Sequence, residues 1–233
     1  AVQSPAEQQR RDLARPIADD VFAQLRAAFF EHQVLVIRGQ DFSQADQVRF
    51  TARFGAIRRS NMQDFGVREQ PEIFIVSNIK DGERHVGVFD AGLFWHSDGA
   101  FMDTPHGALA LHALEVPHDD AGRPLGDTAF ASTSMAYDAL PGALKERIEG
   151  LDAQHTLLLR YEKTVGTGRQ TDVLTAKTPQ GMDKVHPVAR VHPITGRKCI
   201  YVSEGYTARI LGLPEDESRG LLAELTAHCA KPE

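Results

Sequence analysis

His96 and Asp98 are the residues whose types and spacing best suit chemistry at a metal ion. They stand in the segment 93–101, which reads LFWHSDGAF. In an extended strand, residues two apart point to the same face, so an imidazole and a carboxylate can approach one point. Two histidines and one carboxylate on one face of an octahedron suit iron(II) and leave three coordination positions open. The pair therefore supplies two of the three protein ligands of such a site.

The H-x-D spacing alone is weak, because chance supplies roughly 0.8 such pairs in a chain of this composition. His118 and Asp120 repeat the spacing in a polar loop, HDDAGRPLG, where a solvated turn is the better interpretation. Around His96, by contrast, Phe94, Trp95 and Phe101 are expected to form apolar walls, in which an ionisable pair needs a partner. The spacing and the apolar neighbours alone therefore support a metal site and a structural ion pair equally well.

The remaining histidines and the cysteines carry no comparable spacing. His186 and His192 each precede a proline and are interpreted as structural, while His155 is predicted to pack in a strand. Cys199 and Cys229 lack a C-x-x-C spacing and are predicted to be buried free thiols.

Composition narrows the class of protein. The 233 residues are 42% apolar and 25% charged, which is typical of a globular protein, and we expect a single domain over residues 1–233. The net charge of −6 argues against a surface that binds nucleic acid. The sequence has no apolar run of about 18 residues and no signal-like start, so we expect a cytoplasmic protein without membrane contact.

Short strands dominate the pattern between helices near the two ends. Helices are predicted over about 21–32, with Asp19 and Asp20 as caps, from Ser43 to Phe54, over 134–140 and 143–148, and over 215–229. Strands are predicted at 33–37, 72–77, 107–114, 127–132, 151–159, 188–192 and 198–203. This order indicates a mainly β protein with flanking helices (α+β), built as a sandwich or barrel. The polar stretch 160–184 is either a flexible loop or lid over a site, or a solvated insertion.

Five segments together resemble the taurine dioxygenase and 2,4-dichlorophenoxyacetate dioxygenase family. They are WHSD at 95–98, LHALEVP at 111–117, GDTAFAS at 126–132, MAYDALP at 135–141 and HPVARVHPITGRKCIYV at 186–202. The resemblance implies a double-stranded β-helix, or jelly roll. It also implies that Fe(II) is bound by His96 and Asp98, and that Thr128 bonds the carboxylate of 2-oxoglutarate.

The implied activity is hydroxylation of a small, anionic organic substrate by O₂, with release of succinate and CO₂ from 2-oxoglutarate. Asp98 favours hydroxylation over halogenation, since related halogenases have a small residue there. Arg58, Arg59 and Asn61 are candidates for binding an anionic substrate, or form an exposed basic turn. Relatives are often dimers or tetramers, so a homo-oligomer is possible.

The family's third metal ligand, a histidine, and the arginine that binds the 2-oxoglutarate tail lie in a segment that these 233 residues do not contain. We therefore expect a C-terminal segment beyond them, and a jelly roll that lacks its closing strands without it. The alternative is a non-catalytic jelly-roll protein that binds a small carboxylate or a metal. A metal-dependent hydrolase has less support, because no general base accompanies the pair.

Overall fold

The computed structural model describes residues 12–59, 65–89, 91–159 and 183–231, which form a mixed α/β structure. The chain divides into two compact units. The first contains residues 1–88 and 107–129, and the second contains residues 89–106 and 130–233. This division does not decide the prediction of a single domain, which stays a prediction. Most of the predicted loop 160–184 lies outside the described residues.

Two helices open the first unit: α1 (Asp19–His32) and α2 (Gln44–Thr51), which continues into a 3₁₀ turn, Ala52–Phe54. The predicted capping box of α2 is confirmed. The Ser43 hydroxyl accepts from the backbone N–H of Asp46, and the Asp46 carboxylate accepts from the backbone N–H of Ser43. The prediction that Asp19 and Asp20 cap α1 is wrong, because both lie inside its first turn, where carboxylates interact favourably with the helix dipole.

The strands of the first unit are short and form two antiparallel hairpins. They are β1 (Gly66–Val67) with β2 (Gln70–Phe74), and β3 (Lys80–Asp81) with β4 (Arg84–His85). Four phenylalanines from α1, α2 and the 3₁₀ turn make edge-to-face contacts, with ring centroids 5.0–6.3 Å apart: Phe22, Phe29, Phe50 and Phe54. These aromatic contacts join the helices of the unit.

The second unit contains a three-stranded antiparallel sheet, a hairpin and three helices. The sheet has the order β6 (Asp183–Pro187), β5 (Asp152–Thr156), β9 (Thr207–Ile210). The hairpin pairs β7 (Ala189–Val191) with β8 (Lys198–Ile200). The helices are α3 (Thr133–Ala139), α4 (Gly142–Ile148) and α5 (Glu215–Cys229), so the predicted helices are confirmed to within two residues at each end.

The core of the second unit lies between the strands and α5. Ile148, Val188, Ile200, Ile210 and Leu225 are almost completely buried there and pack into one apolar cluster. Helix α5 is also joined to β9 by a hydrogen bond, since the backbone N–H of Ile210 donates to the Ser218 hydroxyl at 2.7 Å. The core therefore fixes β9, and with it the residues that come just before this strand.

Three predicted strands are wrong for the described structure: residues 33–37, 107–114 and 127–132 have no strand conformation. A β-strand exists only where its backbone is paired with a neighbour, and these segments form no ladder with any described residue. Leu109, Leu111 and Leu114 are consequently exposed. The apolar pattern of these segments predicted strands, but a pattern within one segment cannot show whether a neighbouring strand is available to pair with it.

Two further expectations concern membranes and thiols. Within the described part of the chain, no helix is both long enough and apolar enough to cross a membrane.

Cys199 and Cys229 are free thiols but only partly buried, so the prediction of buried thiols holds in part. Burial raises the pKa of both thiols, that of Cys229 to about 11.

The buried imidazole of His155 should make the stability of the protein depend on pH. Its side chain is 1% exposed, and burial, followed by the charges of His186 and Arg190, lowers its pKa from 6.5 to about 4. Because the folded pKa lies below the unfolded one, protonation favours the unfolded chain. The stabilisation is complete above pH 6.5 and is lost as the pH falls towards 4.

Urea unfolding at pH 7.5 and pH 5, in buffers without carboxylates, measures this loss. Between these two pH values, the free energy of unfolding of the unaltered chain should fall by on the order of 2 kcal/mol more than that of His155→Gln. His118→Gln, which removes an exposed histidine, should behave like the unaltered chain. Equal losses in the chain and in His155→Gln would show that His155 is not the titrating group.

Candidate metal centre

His96 and Asp98 lie together in the second unit, and the His96 Nε2 is 3.6 Å from the Asp98 Oδ1. Residues 95–97 have no regular secondary structure, and a turn begins at Asp98. The expected strand is therefore wrong, although the two side chains do converge as an extended segment would make them. A separation of 3.6 Å is longer than a hydrogen bond, so the pair leaves its facing atoms unbonded to each other.

The orientation of the His96 ring is set by its own backbone. Its Nδ1 lies 2.8 Å from the carbonyl oxygen of Phe94. A carbonyl oxygen only accepts, so Nδ1 carries the proton and donates it, and the neutral ring keeps a lone pair on Nε2. Nε2 is the nitrogen that faces Asp98. A hydrogen bond from the other ring nitrogen is the usual way in which proteins orient a metal-binding histidine.

A second segment of the chain packs behind His96. The ring of Tyr206 meets the His96 ring edge-on, with centroids 5.7 Å apart and planes at 89°. The backbone N–H of Gly205 donates to the carbonyl oxygen of Trp95 at 3.1 Å. A Cβ on Gly205 would lie 3.3 Å from the Cβ of His96 and 3.5 Å from that carbonyl oxygen. The absence of a side chain at 205 therefore allows this close approach.

The tight turn after Asp98 depends on another glycine. Gly99 has φ = 72°, in the left-handed region, and a Cβ there would lie 2.9 Å from the Cδ2 of His106. The turn is closed by the backbone N–H of Met102, which donates to the Gly99 carbonyl at 2.9 Å. Both backbone shape and space thus require glycine directly after the carboxylate.

The surroundings differ in part from the expected apolar walls. Phe101 is buried against Tyr206, with ring centroids 5.0 Å apart, as expected. Trp95 is 40% exposed and so does not enclose the pair. The side chains of His96 and Asp98 are 30% and 47% exposed. The site is therefore open to a ligand from solvent.

The donor set fits a divalent metal of the iron(II) type. It combines an imidazole lone pair with a carboxylate oxygen, two members of the two-histidine, one-carboxylate set. Within residues 12–59, 65–89, 91–159 and 183–231, no group of three or more His, Cys, Asp or Glu side chains could hold a metal. The described structure thus presents the two predicted ligands and no third.

The second H-x-D pair is arranged differently, as its polar loop predicted. Asp119, between its two members, accepts hydrogen bonds from the backbone N–H groups of Ala121 and Arg123 and closes a turn. His118 and Asp120 are exposed, and the described structure contains no ion pair between them. The same spacing therefore brings an imidazole and a carboxylate together at one place and not at the other.

Three of the other predicted site residues, Thr128, Arg58 and Arg59, belong to the first unit. Thr128 is exposed, and so are Arg58 and Arg59. Arg59 forms an ion pair with Glu72, whose carboxylate is 3.3 Å from the guanidinium. Asn61 lies outside the described residues. The roles of all four residues stay predictions.

Sequence reasoning missed Gly205 and Tyr206, although both support His96. They stand in SEGYTARI at 203–210, far along the chain from the H-x-D pair. A single glycine between a strand and a strand is a weak signal of close backbone approach. The packing that gives these residues their role became apparent only in the three-dimensional structure.

Replacing His96 should remove metal binding specifically. The His96→Ala chain should bind Fe(II) or Mn(II) at least on the order of tenfold more weakly, since even residues that only orient a ligand contribute 10- to 100-fold. Anaerobic calorimetric titration measures this change. His118→Ala is the matched control, because it alters the other H-x-D pair and should leave the affinity unchanged. Similar effects of both substitutions would exclude His96 and Asp98 as the site.

Adding a methyl group at Gly205 should disturb the His96 ring with little effect on folding. No left-handed φ is required at this position, so the strain of Gly205→Ala comes from the contact with His96. We expect metal affinity to fall several-fold. Gly107→Ala is the control, since a Cβ there meets no atom within 4 Å. Unchanged metal affinity in Gly205→Ala would show that the backing segment does not position His96.

Comparison with known proteins identifies the family to which the chain belongs. The model of the family described as "Taurine catabolism dioxygenase TauD, TfdA family" matches residues 2–233. Pentalenolactone F synthase of Streptomyces arenae is 32% identical over 215 residues, which are 89% of this chain and 71% of that protein. The alpha-ketoglutarate-dependent 2,4-dichlorophenoxyacetate dioxygenase of Cupriavidus pinatubonensis is 32% identical over 237 residues. The match covers 95% of this chain and 77% of that protein.

Solved structures share the fold at lower identity. A taurine dioxygenase from Burkholderia xenovorans superposes with a TM-score of 0.66 at 24% identity, covering 95% of this chain and 67% of that one. The structure of AAD-2 in complex with Mn(II) and N-oxalylglycine has a TM-score of 0.65, also at 24% identity, covering 95% and 74% of the two chains. With the family match over nearly its whole length, the chain belongs to the TauD, TfdA family of dioxygenases.

Proposed function

We propose that this 2-oxoglutarate-dependent dioxygenase hydroxylates a small, anionic organic substrate with release of succinate and CO₂, and that His96 and Asp98 hold its Fe(II). The observation that carries the proposal is the convergence of the two side chains. The His96 Nε2 lies 3.6 Å from the Asp98 Oδ1, while Nδ1 is engaged by the Phe94 carbonyl. One imidazole lone pair and one carboxylate oxygen are thereby directed to a common point, as an iron(II) site requires.

Bound Fe(II) supplies the chemistry of O₂ activation, which protein side chains alone cannot perform. The part of this chain is to hold and orient the metal. His96 offers a neutral nitrogen ligand, and Asp98 offers a negative oxygen ligand that compensates part of the charge of the metal. Tyr206 and Gly205 fix the ring from behind. The side chains of His96 and Asp98 are partly exposed, so that 2-oxoglutarate, the substrate and O₂ can reach them from solvent.

Thr128 is proposed to donate its hydroxyl proton to a carboxylate of 2-oxoglutarate. Its exposure leaves the hydroxyl accessible. Arg58, Arg59 and Asn61 are proposed to bind the anionic group of the substrate. The first two are exposed cations, although Glu72 already compensates the charge of Arg59. The proposed fold around these residues is the double-stranded β-helix.

Names of relatives support an anionic substrate. Besides the 2,4-dichlorophenoxyacetate enzyme, they include an (S)-phenoxypropionate/alpha-ketoglutarate-dioxygenase of Sphingobium herbicidovorans, 29% identical over 213 residues. Phenoxyacetate and phenoxypropionate are carboxylates that also carry an apolar ring. We propose the same combination of a small anion and an apolar body for the substrate here.

A non-catalytic protein that binds a carboxylate or a metal is the alternative expected from the sequence, whereas the named relatives are dioxygenases. The two candidates differ in the fate of the bound acid. A dioxygenase should convert 2-oxoglutarate to succinate when Fe(II) and O₂ are supplied. A binding protein should take up the acid and leave it unchanged.

The hydroxyl of Thr128 provides a test of the 2-oxoglutarate site. Thr128→Val should raise the KM for 2-oxoglutarate by about tenfold or more, because a hydrogen bond to a charged group contributes roughly 1.5–3 kcal/mol. Succinate formation with Fe(II) under air is the measurement. Thr128→Ser keeps the hydroxyl and is expected to restore the KM. Equal KM values for the valine and serine variants would remove Thr128 from the site.

A further inference from the structure

The carboxylate of Asp98 is held less directly than the imidazole of His96. The His96 ring is fixed by the Phe94 carbonyl and by the ring of Tyr206. The Asp98 carboxylate lies 3.6 Å from the His96 Nε2 and forms no hydrogen bond with any of the described residues. Its position therefore depends on the backbone that carries it. This backbone is the turn of residues 97–102, which we call the Asp98 turn.

Two backbone hydrogen bonds shape the Asp98 turn. The N–H of Ala100 donates to the Ser97 carbonyl at 3.2 Å, and the N–H of Met102 donates to the Gly99 carbonyl at 2.9 Å. The first bond encloses Asp98, and the second begins at the residue that follows it. Because the two bonds overlap in sequence, a displacement of Met102 also displaces the backbone of Asp98.

Strand β6 contacts the Asp98 turn at Met102. The Nε2–H of His186 donates to the Met102 carbonyl oxygen at 2.9 Å, although the two residues are 84 positions apart. Beside this bond, the Lys184 ammonium lies 2.8 Å from the carboxylate of Asp103, the residue after the turn. Residues 184 and 186 of a strand project to the same face. One face of β6 therefore holds the end of the turn at two adjacent points.

The two contacts differ in their surroundings. The side chains of Lys184 and Asp103 are 35% and 83% exposed, and exposed ion pairs contribute little to stability. His186 is 7% exposed, so its hydrogen bond to Met102 is largely shielded from water. Removing a shielded donor costs more than breaking a solvated pair, because water replaces the lost partner poorly. The bond from His186 is therefore the stronger of the two contacts.

The His186 ring has little freedom to turn away from Met102. The ring of Tyr201 meets it edge-on, with centroids 5.4 Å apart and planes at 89°. The ring of His155 lies 5.5 Å away on the neighbouring strand β5. His186 is also paired across the sheet with Ala153, which is completely buried. The donor is thus presented to the Met102 carbonyl in a fixed direction.

Apolar packing also holds the Asp98 turn, but in a different way. Ala100 and Phe101 are buried and pack in one cluster with Tyr206. Apolar contacts are non-directional, whereas a hydrogen bond weakens steeply when it is bent. The apolar cluster therefore keeps the turn on the core, and the bond from His186 fixes the orientation of its last peptide.

We propose that His186 is a positioning residue for Asp98, which it orients by holding the Asp98 turn to β6 through the Met102 carbonyl. This inference rests on the proposed role of Asp98 as a ligand of Fe(II). It gives a functional role to a histidine that sequence analysis interpreted as structural, and it does not make that histidine a metal ligand. The two ligands are then anchored separately, His96 by the segment before β9 and Asp98 by β6.

Titration of the 233-residue chain with Mn(II), followed by the electron paramagnetic resonance of the free ion, tests the proposal. His186→Leu should weaken Mn(II) binding by about tenfold, because residues that orient a metal ligand contribute roughly 10- to 100-fold. His186→Gln places an amide N–H near the position of Nε2 and should restore most of the affinity. A His186→Leu chain that does not fold is replaced by His186→Asn, whose shorter amide does not reach the carbonyl.

His228→Leu is the matched control. The His228 Nε2 donates to the Ala136 carbonyl at 2.9 Å, which is the same kind of bond in the same unit, between α5 and α3. This variant should lose stability and still bind Mn(II) like the unaltered chain. Urea unfolding of each variant separates a loss of metal affinity from a loss of stability. In the metal-free chain, amide hydrogens of the Asp98 turn should exchange faster in His186→Leu than in His228→Leu.

Three results would overturn the proposal. Folded His186→Leu could bind Mn(II) as tightly as the unaltered chain, His228→Leu could lose as much affinity as His186→Leu, or His186→Gln could bind as weakly as His186→Leu. Failure of the proposed metal centre has a different signature, since His96→Ala would then leave Mn(II) binding unchanged. That result would overturn the role of His186 together with the centre.

Discussion

The hydrogen bond from the Nδ1–H of His96 to the Phe94 carbonyl is the interaction on which the proposed metal centre depends. With the opposite tautomer, the proton on Nε2 would point towards Asp98, and the ring would have no lone pair for a metal on that side. The backbone carbonyl excludes this arrangement, because it can only accept. A contact within three residues of sequence thus decides whether the histidine and aspartate bind each other or a common ion.

That local bond is effective because distant residues hold its surroundings. Gly205 and Tyr206 press against the His96 segment, and they directly precede β9, which is tied into the core by Ile210. Ile210 is in turn held by Ser218 of α5. The position of the imidazole therefore depends on the packing of the second unit as a whole, and the core acts on the site through backbone contact.

The predictability of each element follows from how local its cause is. The capping box of Ser43 and Asp46 and helix α5 were predicted correctly because their determinants lie within a few residues. The strand at 107–114 was predicted wrongly because a strand forms only when another strand pairs with it, and the residues of the segment do not show whether one does. The spacing of His96 and Asp98 predicted that their side chains converge, and the structure places them 3.6 Å apart, while their role as metal ligands stays a prediction. The proximity of His155, His186 and Thr207 was not predicted, since β5, β6 and β9 bring these residues together from separate parts of the sequence.

The two H-x-D pairs show why spacing is necessary and yet insufficient. Both contain the same two residue types at the same separation. At 118–120 the intervening Asp119 folds the loop onto its own backbone N–H groups, and the flanking histidine and aspartate are left in solvent. At 96–98 the intervening residue is serine, Gly99 turns the chain, and Phe94 supplies the acceptor for the ring. Backbone context around the motif, more than the motif itself, therefore determines whether the imidazole and the carboxylate converge on one point.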